Sequence, residues 1–370
     1  MNKNILLIIY FLCNVQLIIG QGKPNLYTND LMYYSIREKA YKNDVDSIRF
    51  FTSYPFHSNN PTIVLLQGSG NYPIFSYNPI DSTKYLMLPP YYLEQYKSSY
   101  NFVYISKPYT PISIPFSTNQ VLLDTTFPNY VQFSKMDFLD YYVSQTHQVV
   151  AFLKRELLEK QAPIYLIGIS QGGRIAIKYS SRYPKEVNKL VLYSSGIMDR
   201  SYEKILELRQ IDDCNRESDS VRQQQIFDVY HNLSNQRKYV DQSNLNNNNQ
   251  LRSNISLSHN LFSIYNDFSF HEEMLSNYLL RLDLPILMVY GTLDMKARDN
   301  DIIPFFFIQK NKSNLTILPK LNCNHFFEEI QFDKSLNKEI KVFKGYEVYN
   351  DILLWLEGNS IGTAINQIKE

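Results

Sequence analysis

A serine, an aspartate and a histidine stand at places in this sequence where they could act together in nucleophilic catalysis. Ser170 lies in the pentapeptide 168–172, Gly-Ile-Ser-Gln-Gly, which continues the apolar run Ile164–Gly168 and opens a stretch compatible with a helix. Small residues on both sides of a serine let a strand and a helix pass close together, so that the hydroxyl projects from a sharp turn. Such a serine can act as a nucleophile if a nearby histidine accepts its proton.

A match to this pentapeptide pattern is uncommon in a chain of this composition. Only 12 of the 370 residues are glycine. A chance match therefore has a probability on the order of a few per cent, and the strand before and the helix after lower it further. The alternative interpretation is a strand-to-helix turn that needs small residues for packing alone.

An acid and a histidine lie at comparable places in two later segments. Asp294 comes just after the apolar run Ile286–Tyr290, and His325 lies in the loop after the run Leu315–Leu318. Adjacent strands would bring these two loops together, so the carboxylate could orient the histidine that serves Ser170. The alternatives are a surface aspartate and a loop histidine without a function.

The chain has other candidates for both roles. Asp199 follows an earlier strand, and Asp299 and Asp301 lie close to Asp294. The other histidines have no comparable placement after a strand; they are His57, His147, His231, His259 and His271. We therefore keep Asp294 with the histidine of the following loop as the predicted pair.

The elements that must position these residues alternate between strands and helices. Short, continuously apolar runs predict strands buried on both faces of a parallel sheet, and the segments between them have helical spacing. The predicted strands are Met32–Ile36, Ser47–Ser53, Thr62–Gln67, Phe102–Ser106, Ile164–Gly168, Leu190–Tyr193, Ile286–Tyr290 and Leu315–Leu318, the first two forming a hairpin. The predicted helices are Phe138–Leu158, Gln171–Tyr183 and Tyr346–Leu356. This alternation predicts an α/β fold.

One long segment interrupts the alternation. Ile197 to about Leu280 is polar, contains no convincing buried strand, and has helix-like runs on both sides of the Asn-rich piece Asn244–Asn249. We predict a mainly helical cap at residues 197–280, with the Asn-rich piece as a loop within it. The cap is inserted over a core formed by residues 21–196 and 281–370.

The chain order Ser, Asp, His and the strand–turn–helix context of Ser170 resemble the α/β-hydrolase fold superfamily, over nearly all of the chain after residue 20. The resemblance implies a mostly parallel central sheet flanked by helices. It also implies that Ser170 is the nucleophile and His325 the general base. Asp294 would then orient His325 and stabilise its cation.

The same resemblance implies an oxyanion hole built from backbone N–H groups. One would belong to Gln171, the residue after the nucleophile, and the other to the loop Gln67–Gly70, with Ser69 as the expected donor. Many relatives have His-Gly where this chain has Gln67-Gly68. Many also have an Asp with glycines where this chain has Ser106–Tyr109. The subfamily therefore stays open.

The composition is typical of a globular chain and disfavours some partners. Lysine and arginine number 37 and aspartate and glutamate 36, which gives a net charge of +1. Such a chain has no overall field to attract nucleic acid or an anionic membrane surface. No Cys/His cluster has the spacing of metal ligands, and the expected chemistry requires neither a metal nor an organic cofactor.

Residues 1–20 are predicted to be a secretory signal. Lys3 precedes the mostly apolar run Ile5–Ile19, and Gly20 is a small residue suited to a cleavage site. An uncleaved anchor is the alternative, although the run is shorter than the roughly 20 apolar residues of a spanning helix. In an oxidising compartment Cys214 and Cys323 could pair, but two free thiols are preferred. Asn-x-Ser/Thr sequons, which matter only in a glycosylating host, begin at Asn232, Asn254, Asn311 and Asn314.

These features together predict a secreted or periplasmic serine hydrolase that cleaves a carboxylic ester or related acyl bond through an acyl-enzyme. A peptidase or amidase of aminopeptidase type on the same fold is the first alternative. A catalytically silent hydrolase fold that serves as a binding protein is the second. The expected partners are small esters, acyl compounds or short peptides. Nucleic acid is not expected as a partner, nor is stable membrane insertion after removal of the signal.

Overall fold

The computed structural model describes residues 25–28, 30–37, 47–88, 95–115, 129–198, 200–210, 219–242, 268–270, 274–333 and 338–364. The predicted signal, Cys214 and the Asn-rich piece 244–249 lie outside these residues. In the part of the chain that is described, no helix has both the length and the apolar character needed to cross a membrane.

The described strands form one ten-stranded sheet and two small sheets. They are β1 (Asn25–Thr28), β2 (Leu31–Arg37), β3 (Ser47–Ser53), β4 (Thr62–Leu66), β5 (Phe75–Tyr77), β6 (Lys84–Leu86), β7 (Asn101–Ile105), β8 (Ser113–Pro115), β9 (Ile164–Ile169), β10 (Lys189–Tyr193), β11 (Ile286–Gly291), β12 (Leu315–Lys320), β13 (Glu328–Asp333), β14 (Lys338–Phe343) and β15 (Thr363–Ala364). The strand order in the large sheet is β1-β2-β3-β7-β4-β9-β10-β11-β12-β15.

The six central strands of the large sheet, from β7 to β12 in spatial order, are all parallel. Strands β1 to β3 at one edge and β15 at the other are antiparallel additions. Every residue of β4, β7 and β11 is buried, as a sheet covered on both faces requires. The predicted α/β architecture with a mostly parallel sheet is confirmed, and each predicted strand is present within a few residues of its expected limits.

Helices cover both faces of this sheet. The described helices are α1 (Tyr130–Met136), α2 (Leu139–Glu156), α3 (Gln171–Arg182), α4 (Arg200–Gln210), α5 (Asp219–Gln242), α6 (Leu275–Arg281), α7 (Ile303–Gln309) and α8 (Gly345–Leu356). Successive strand residues face opposite sides of the sheet. Val64 and Leu66 of β4 belong to the core layer that contains α2 and α3. Ile63 and Leu65 belong to the layer that contains α8.

The segment between β10 and β11 is helical where it is described. Helices α4 and α5 pack against each other, in agreement with the helical character expected of residues 197–280. Helix α6 crosses the predicted end of this segment, and its Leu275 and Leu279 join the core layer of α2 and α3. The limits of the cap stay a prediction.

Two small β structures were not predicted from the sequence. Strands β5, β6 and β8 form a three-stranded sheet beside the large one, and β13 and β14 form an antiparallel hairpin. The first three strands have only three residues each, too few to show a period. In β14, Lys338–Phe343, charged and apolar residues alternate, and this pattern is the signal that would have indicated a half-exposed strand.

The described cysteine and two of the sequons have definite surroundings. Cys323 is a free, buried thiol, in agreement with the preferred interpretation. The amide nitrogen of Asn314 donates to the carbonyl oxygens of Leu282 and Leu284 at 2.9 and 2.7 Å, so a glycan there would remove at least one of these bonds. Asn232 is exposed on α5.

The continuous burial of β4 leads to a stability prediction with a matched control. Ile63→Ala should lower the free energy of unfolding by about 2–5 kcal/mol, because it leaves a cavity in a packed layer. Ile80→Ala removes the same atoms from a side chain that is 92% exposed, and should change stability by less than about 0.5 kcal/mol. Urea denaturation of both variants measures this difference. Equal effects of the two substitutions would contradict the assignment of β4 to the core.

Candidate active site

Ser170 occupies a sharp turn between β9 and α3. Its φ of 51° and ψ of −118° place it in a left-handed region that a residue with a side chain rarely adopts, at a cost of about 1–3 kcal/mol. The turn is held from both sides. The Ser170 N–H donates to the carbonyl oxygen of Tyr193 in β10 at 2.8 Å, and the Ser170 carbonyl accepts from the N–H of Gly173 at 3.0 Å.

The glycines around this serine are required by close backbone contacts. A Cβ at Gly172 would lie 2.1 Å from the carbonyl oxygen of Leu66, and a Cβ at Gly168 would lie 2.5 Å from the Cα of Gly173. Both distances are far below contact range, and the atoms approached belong to the backbone. The first turn of α3 therefore runs directly over the ends of β4 and β9, as the sequence pattern predicts.

The loop that follows β4 approaches the serine from another side. A Cβ at Gly68 would lie 3.3 Å from the Cβ of Ser170 and 3.9 Å from its Oγ. Ser69 is the exposed residue next to Gly68. Gln171 is the first residue of α3, and N–H groups in the first turn of a helix lack an intrahelical acceptor. Both predicted oxyanion donors are thus in segments adjacent to Ser170.

Asp294 and His325 form a close pair at the same edge of the sheet. The Nδ1 atom of His325 lies 2.8 Å from Oδ2 of Asp294. The other carboxylate oxygen of Asp294 accepts the backbone N–H of Lys296 at 2.8 Å. The Asp294 side chain is fully buried, whereas that of His325 is 24% exposed. With the proton on Nδ1, the Nε2 atom is left as a proton acceptor.

Main-chain hydrogen bonds join the two loops that carry this pair. The N–H of Leu293 donates to the carbonyl oxygen of Cys323 at 2.9 Å, and the N–H of Thr292 donates to that of Lys320 at 3.0 Å. A Cβ at Gly291 would lie only 2.1 Å from the Cys323 carbonyl oxygen. The absence of a side chain at Gly291 is therefore what lets the loops meet.

Asn324 organises the histidine loop from within. Its side-chain oxygen accepts the N–H groups of Phe326 and Glu328 at 2.9 and 3.0 Å, and its amide nitrogen donates to the Glu328 carboxylate at 2.8 Å. Because these bonds flank His325 on both sides, the imidazole has a defined position. Neither this asparagine nor the β13–β14 hairpin that follows was identified from the sequence.

A cavity of about 790 Å³ opens where these segments converge. Ser69, Ser170, Gln171 and His325 all line it. Asp294 is not in the lining, because it lies behind His325. The structure thus brings the five residues predicted for the site together, and their chemical roles stay a prediction.

Comparison with known proteins gives one family match and several similar folds. Residues 132–306 match the model of the family described as Serine aminopeptidase, S33; this segment includes Ser170 and Asp294 and ends before His325. No curated protein sequence matches the chain significantly.

Among solved structures, the chain is similar to a thermostable carboxyl esterase of Bacillus coagulans, at 12% identity and a TM-score of 0.50, over 90% of this chain and 99% of that one. It is also similar to a protein of Bacteroides ovatus assigned as a dipeptidyl aminopeptidase IV. That match has 11% identity and a TM-score of 0.50, and covers 91% of this chain but only 36% of the Bacteroides protein. The chain has the α/β-hydrolase fold.

The cavity has a charged wall that was not identified from the sequence. The guanidinium of Arg174 donates to Oε1 of Glu203 at 2.9 Å, and both side chains are largely buried. The ammonium groups of Lys204 and Lys296 lie 3.1 and 3.5 Å from the two oxygens of Glu207. A signal was present, since Glu203 and Glu207 are four residues apart and therefore share one face of α4.

The carboxyl group of Glu207 is ionised more readily than usual. Burial alone would raise its pKa, but the hydrogen bond from Lys204 and the charge of Lys296 together lower it. The Glu207 carboxylate is therefore charged at neutral pH and holds both lysines near the cavity.

The residues after β4 and β7 that depart from the superfamily pattern have structural roles in this protein. The side-chain amide of Gln67 donates to the carbonyl oxygen of Ile105 at 2.9 Å, and that of Gln145 donates to the carbonyl oxygen of Ser106 at 3.1 Å. These bonds tie the end of β7 to β4 and to α2. Lys107 follows directly and is 4% exposed.

The Lys107 ammonium has no hydrogen-bond partner among the described residues. It lies 5.4 Å from the centre of the Tyr142 ring. Burial lowers the pKa of Lys107 to about 8, against the opposing effect of the Asp137 charge. At neutral pH the folded protein therefore bears the cost of burying this charge.

Lys107→Met should stabilise the protein at pH 7 by up to about 3 kcal/mol, because it keeps the shape of the side chain and removes the buried charge. The direction in which stability changes with pH follows from the lowered pKa of Lys107. Between pH 8 and the unfolded value near 10.5, the unfolded chain binds more protons, so the wild type gains stability as pH rises. The variant lacks this gain. Urea denaturation from pH 7 to 10 measures both effects.

Lys185→Met is the matched control, because Lys185 is exposed and its replacement should change stability by less than about 0.5 kcal/mol. A Lys107→Met protein that is less stable than wild type at pH 7, with an unchanged pH slope, would show that the ammonium is stabilised in the fold.

Proposed function

We propose that this α/β hydrolase is a serine esterase that cleaves carboxylic esters through an acyl-enzyme. The observation that carries the proposal is the Asp294–His325 pair at 2.8 Å, whose histidine lines the same cavity as a serine held in a strained turn. Strained residues persist where the surrounding structure over-determines them, and they cluster at active sites.

In the proposed acylation step, the Oγ atom of Ser170 attacks the ester carbonyl carbon while Nε2 of His325 takes its proton. The resulting tetrahedral oxyanion accepts hydrogen bonds from the backbone N–H groups of Gln171 and Ser69. In comparable sites each such donor stabilises the transition state by about 3–4 kcal/mol. His325 then gives the proton to the leaving alkoxide, and the bond between the carbonyl carbon and that oxygen breaks.

In the deacylation step, His325 takes a proton from water, and the hydroxide that forms attacks the acyl-serine. Collapse of the second tetrahedral intermediate releases the carboxylic acid and returns the proton to Ser170. Asp294 keeps its charge throughout, since its role is to fix the tautomer of His325 and stabilise the imidazolium.

Hydrolysis of a peptide or other amide by the same residues is the second candidate. It is supported by the match to the serine aminopeptidase family and by two carboxylates in the cavity, Glu203 and Glu207, since a carboxylate can hold the ammonium of a peptide. Both carboxylates are already paired with cations of the chain. This pairing favours the ester over the amino-terminal peptide.

The proposal predicts that the protein reacts with a fluorophosphonate probe. Labelling should vanish in Ser170→Ala, which removes the nucleophile, and fall to near background in His325→Ala, which removes the base. The measurement is in-gel fluorescence of purified, folded protein, followed by a panel of esters and aminoacyl anilides. A folded wild type that is not labelled would favour the silent binding protein. Turnover of anilides without esters would favour the peptidase.

Asp294→Asn should lower kcat for an ester by about 10³–10⁴-fold with a small change in KM, because the amide supports the wrong tautomer of His325. Asp283→Asn is the matched control, since the Asp283 side chain is 95% exposed on the surface, and its kcat should equal that of wild type. If both variants retain wild-type kcat, Asp294 has no part in the reaction.

A further inference from the structure

In the charged wall of the cavity, the positive and negative charges of the more exposed side chains do not cancel. Lys204 belongs to α4, and Lys296 belongs to the loop after β11, two residues beyond Asp294. Their ammonium groups converge on opposite oxygens of one carboxylate, that of Glu207. These three lining residues, Lys204, Lys296 and Glu207, are called the outer group below. The outer group carries two positive charges and one negative charge.

The more deeply buried ion pair on the same wall does not supply a second negative charge to balance the two lysines. Arg174 and Glu203 form an ion pair with each other, and their side chains are only 5% and 12% exposed. The outer lysines differ, because their side chains are 56% and 64% exposed. They can therefore contact a bound molecule without breaking a buried interaction.

The backbone near Lys296 gives the outer group a defined position. The N–H of Lys296 donates to Oδ1 of Asp294, and Oδ2 of that carboxylate lies against His325. The Cα of Lys296 is thus held relative to the imidazole, while Glu207 draws the ammonium towards the cavity.

The cavity is also lined by large apolar side chains. They belong to Tyr72, Met87, Leu88, Phe326 and Phe343, and Phe326 is 69% exposed. Exposed aromatic and aliphatic side chains at a cavity mouth offer contacts to an apolar group of a ligand.

We propose that Lys204 and Lys296 form an anion subsite, and that the preferred substrate is an amphiphilic ester with an apolar portion and a carboxylate. A substrate carboxylate between the two ammonium groups gives the outer group two positive and two negative charges. The apolar portion lies against the apolar side chains of the lining. This inference rests on the proposed esterase function for the reaction itself.

The kinetic test compares esters matched except for charge. The first pair differs in the acyl group and consists of p-nitrophenyl hydrogen glutarate and p-nitrophenyl pentanoate. The second pair differs in the leaving group and consists of m-carboxyphenyl pentanoate and phenyl pentanoate. The wild type should prefer the anionic member of at least one pair in kcat/KM. Each Lys→Gln replacement at 204 and 296 should reduce that preference about fivefold, and added salt should weaken it.

Two further variants sharpen the test. Glu207→Gln removes the competing carboxylate and should increase the preference for the anionic ester. If Glu207 and the two lysines only tie α4 to the core, this replacement should not increase the preference. Lys185→Gln, on an exposed turn outside the cavity lining, should leave the preference unchanged.

Binding without turnover separates this inference from the proposed function. Calorimetry should show that wild type binds phenylbutanoate more tightly than phenylbutanol, and that Lys204→Gln with Lys296→Gln removes the difference. Equal binding of the two compounds, or rates insensitive to both lysines, would overturn the anion subsite even if neutral esters are hydrolysed. Absence of ester turnover with intact anion binding would instead overturn the esterase.

Discussion

The turn at Ser170 is the constraint on which the rest of the site depends. A serine with positive φ between a buried strand and a helix is stable only if backbone contacts on all sides hold it. Here the carbonyl oxygens of Leu66 and Tyr193 provide two of these contacts. Both belong to strands adjacent to β9, so the parallel register of three neighbouring strands determines where the hydroxyl lies. Replacing a glycine at position 168 or 172 would displace backbone, which explains why the pattern tolerates no larger residue.

The Asp294–His325 pair depends on a second backbone arrangement. The loops after β11 and β12 are bonded to each other through main-chain groups, and Gly291 lets them touch. The position of the imidazole therefore follows from the pairing of two strands and from the side-chain bonds of Asn324 within its own loop. A buried carboxylate costs free energy unless it is hydrogen-bonded. Both oxygens of Asp294 are hydrogen-bonded, one by His325 and the other by the N–H of Lys296.

Helix α4 connects these two parts of the site. Its Glu203 pairs with Arg174 on the helix that Ser170 begins, and its Glu207 pairs with Lys296 on the loop of Asp294. Ion pairs of this kind often add little net stability, because desolvation offsets their attraction. What they provide is position, because one face of α4 is aligned with the segments that carry Ser170 and Asp294. The charges of the cavity wall therefore come from α4 together with the helix and the loop that follow two sheet strands.

The sequence alone determined eight of the ten strands of the large sheet and the positions of Ser170, Asp294 and His325 along the chain. Strands buried on both faces must be continuously apolar, and β4, β9 and β11 show this directly in their residues. The glycines around Ser170 are visible in the sequence because the turn itself leaves no room for a Cβ at these positions. The charged wall, the loop bonds of Asn324 and the burial of Lys107 were decided by tertiary structure. The charged wall joins residues that are far apart in sequence, and Glu203 and Glu207 share a helix face whose partners only folding supplies. The bonds of Asn324 are local, but they form only in the loop conformation that the strands on both sides impose. A charged residue in a polar segment looks the same whether it faces solvent or a cavity, so its partner can be known only once the chain has folded.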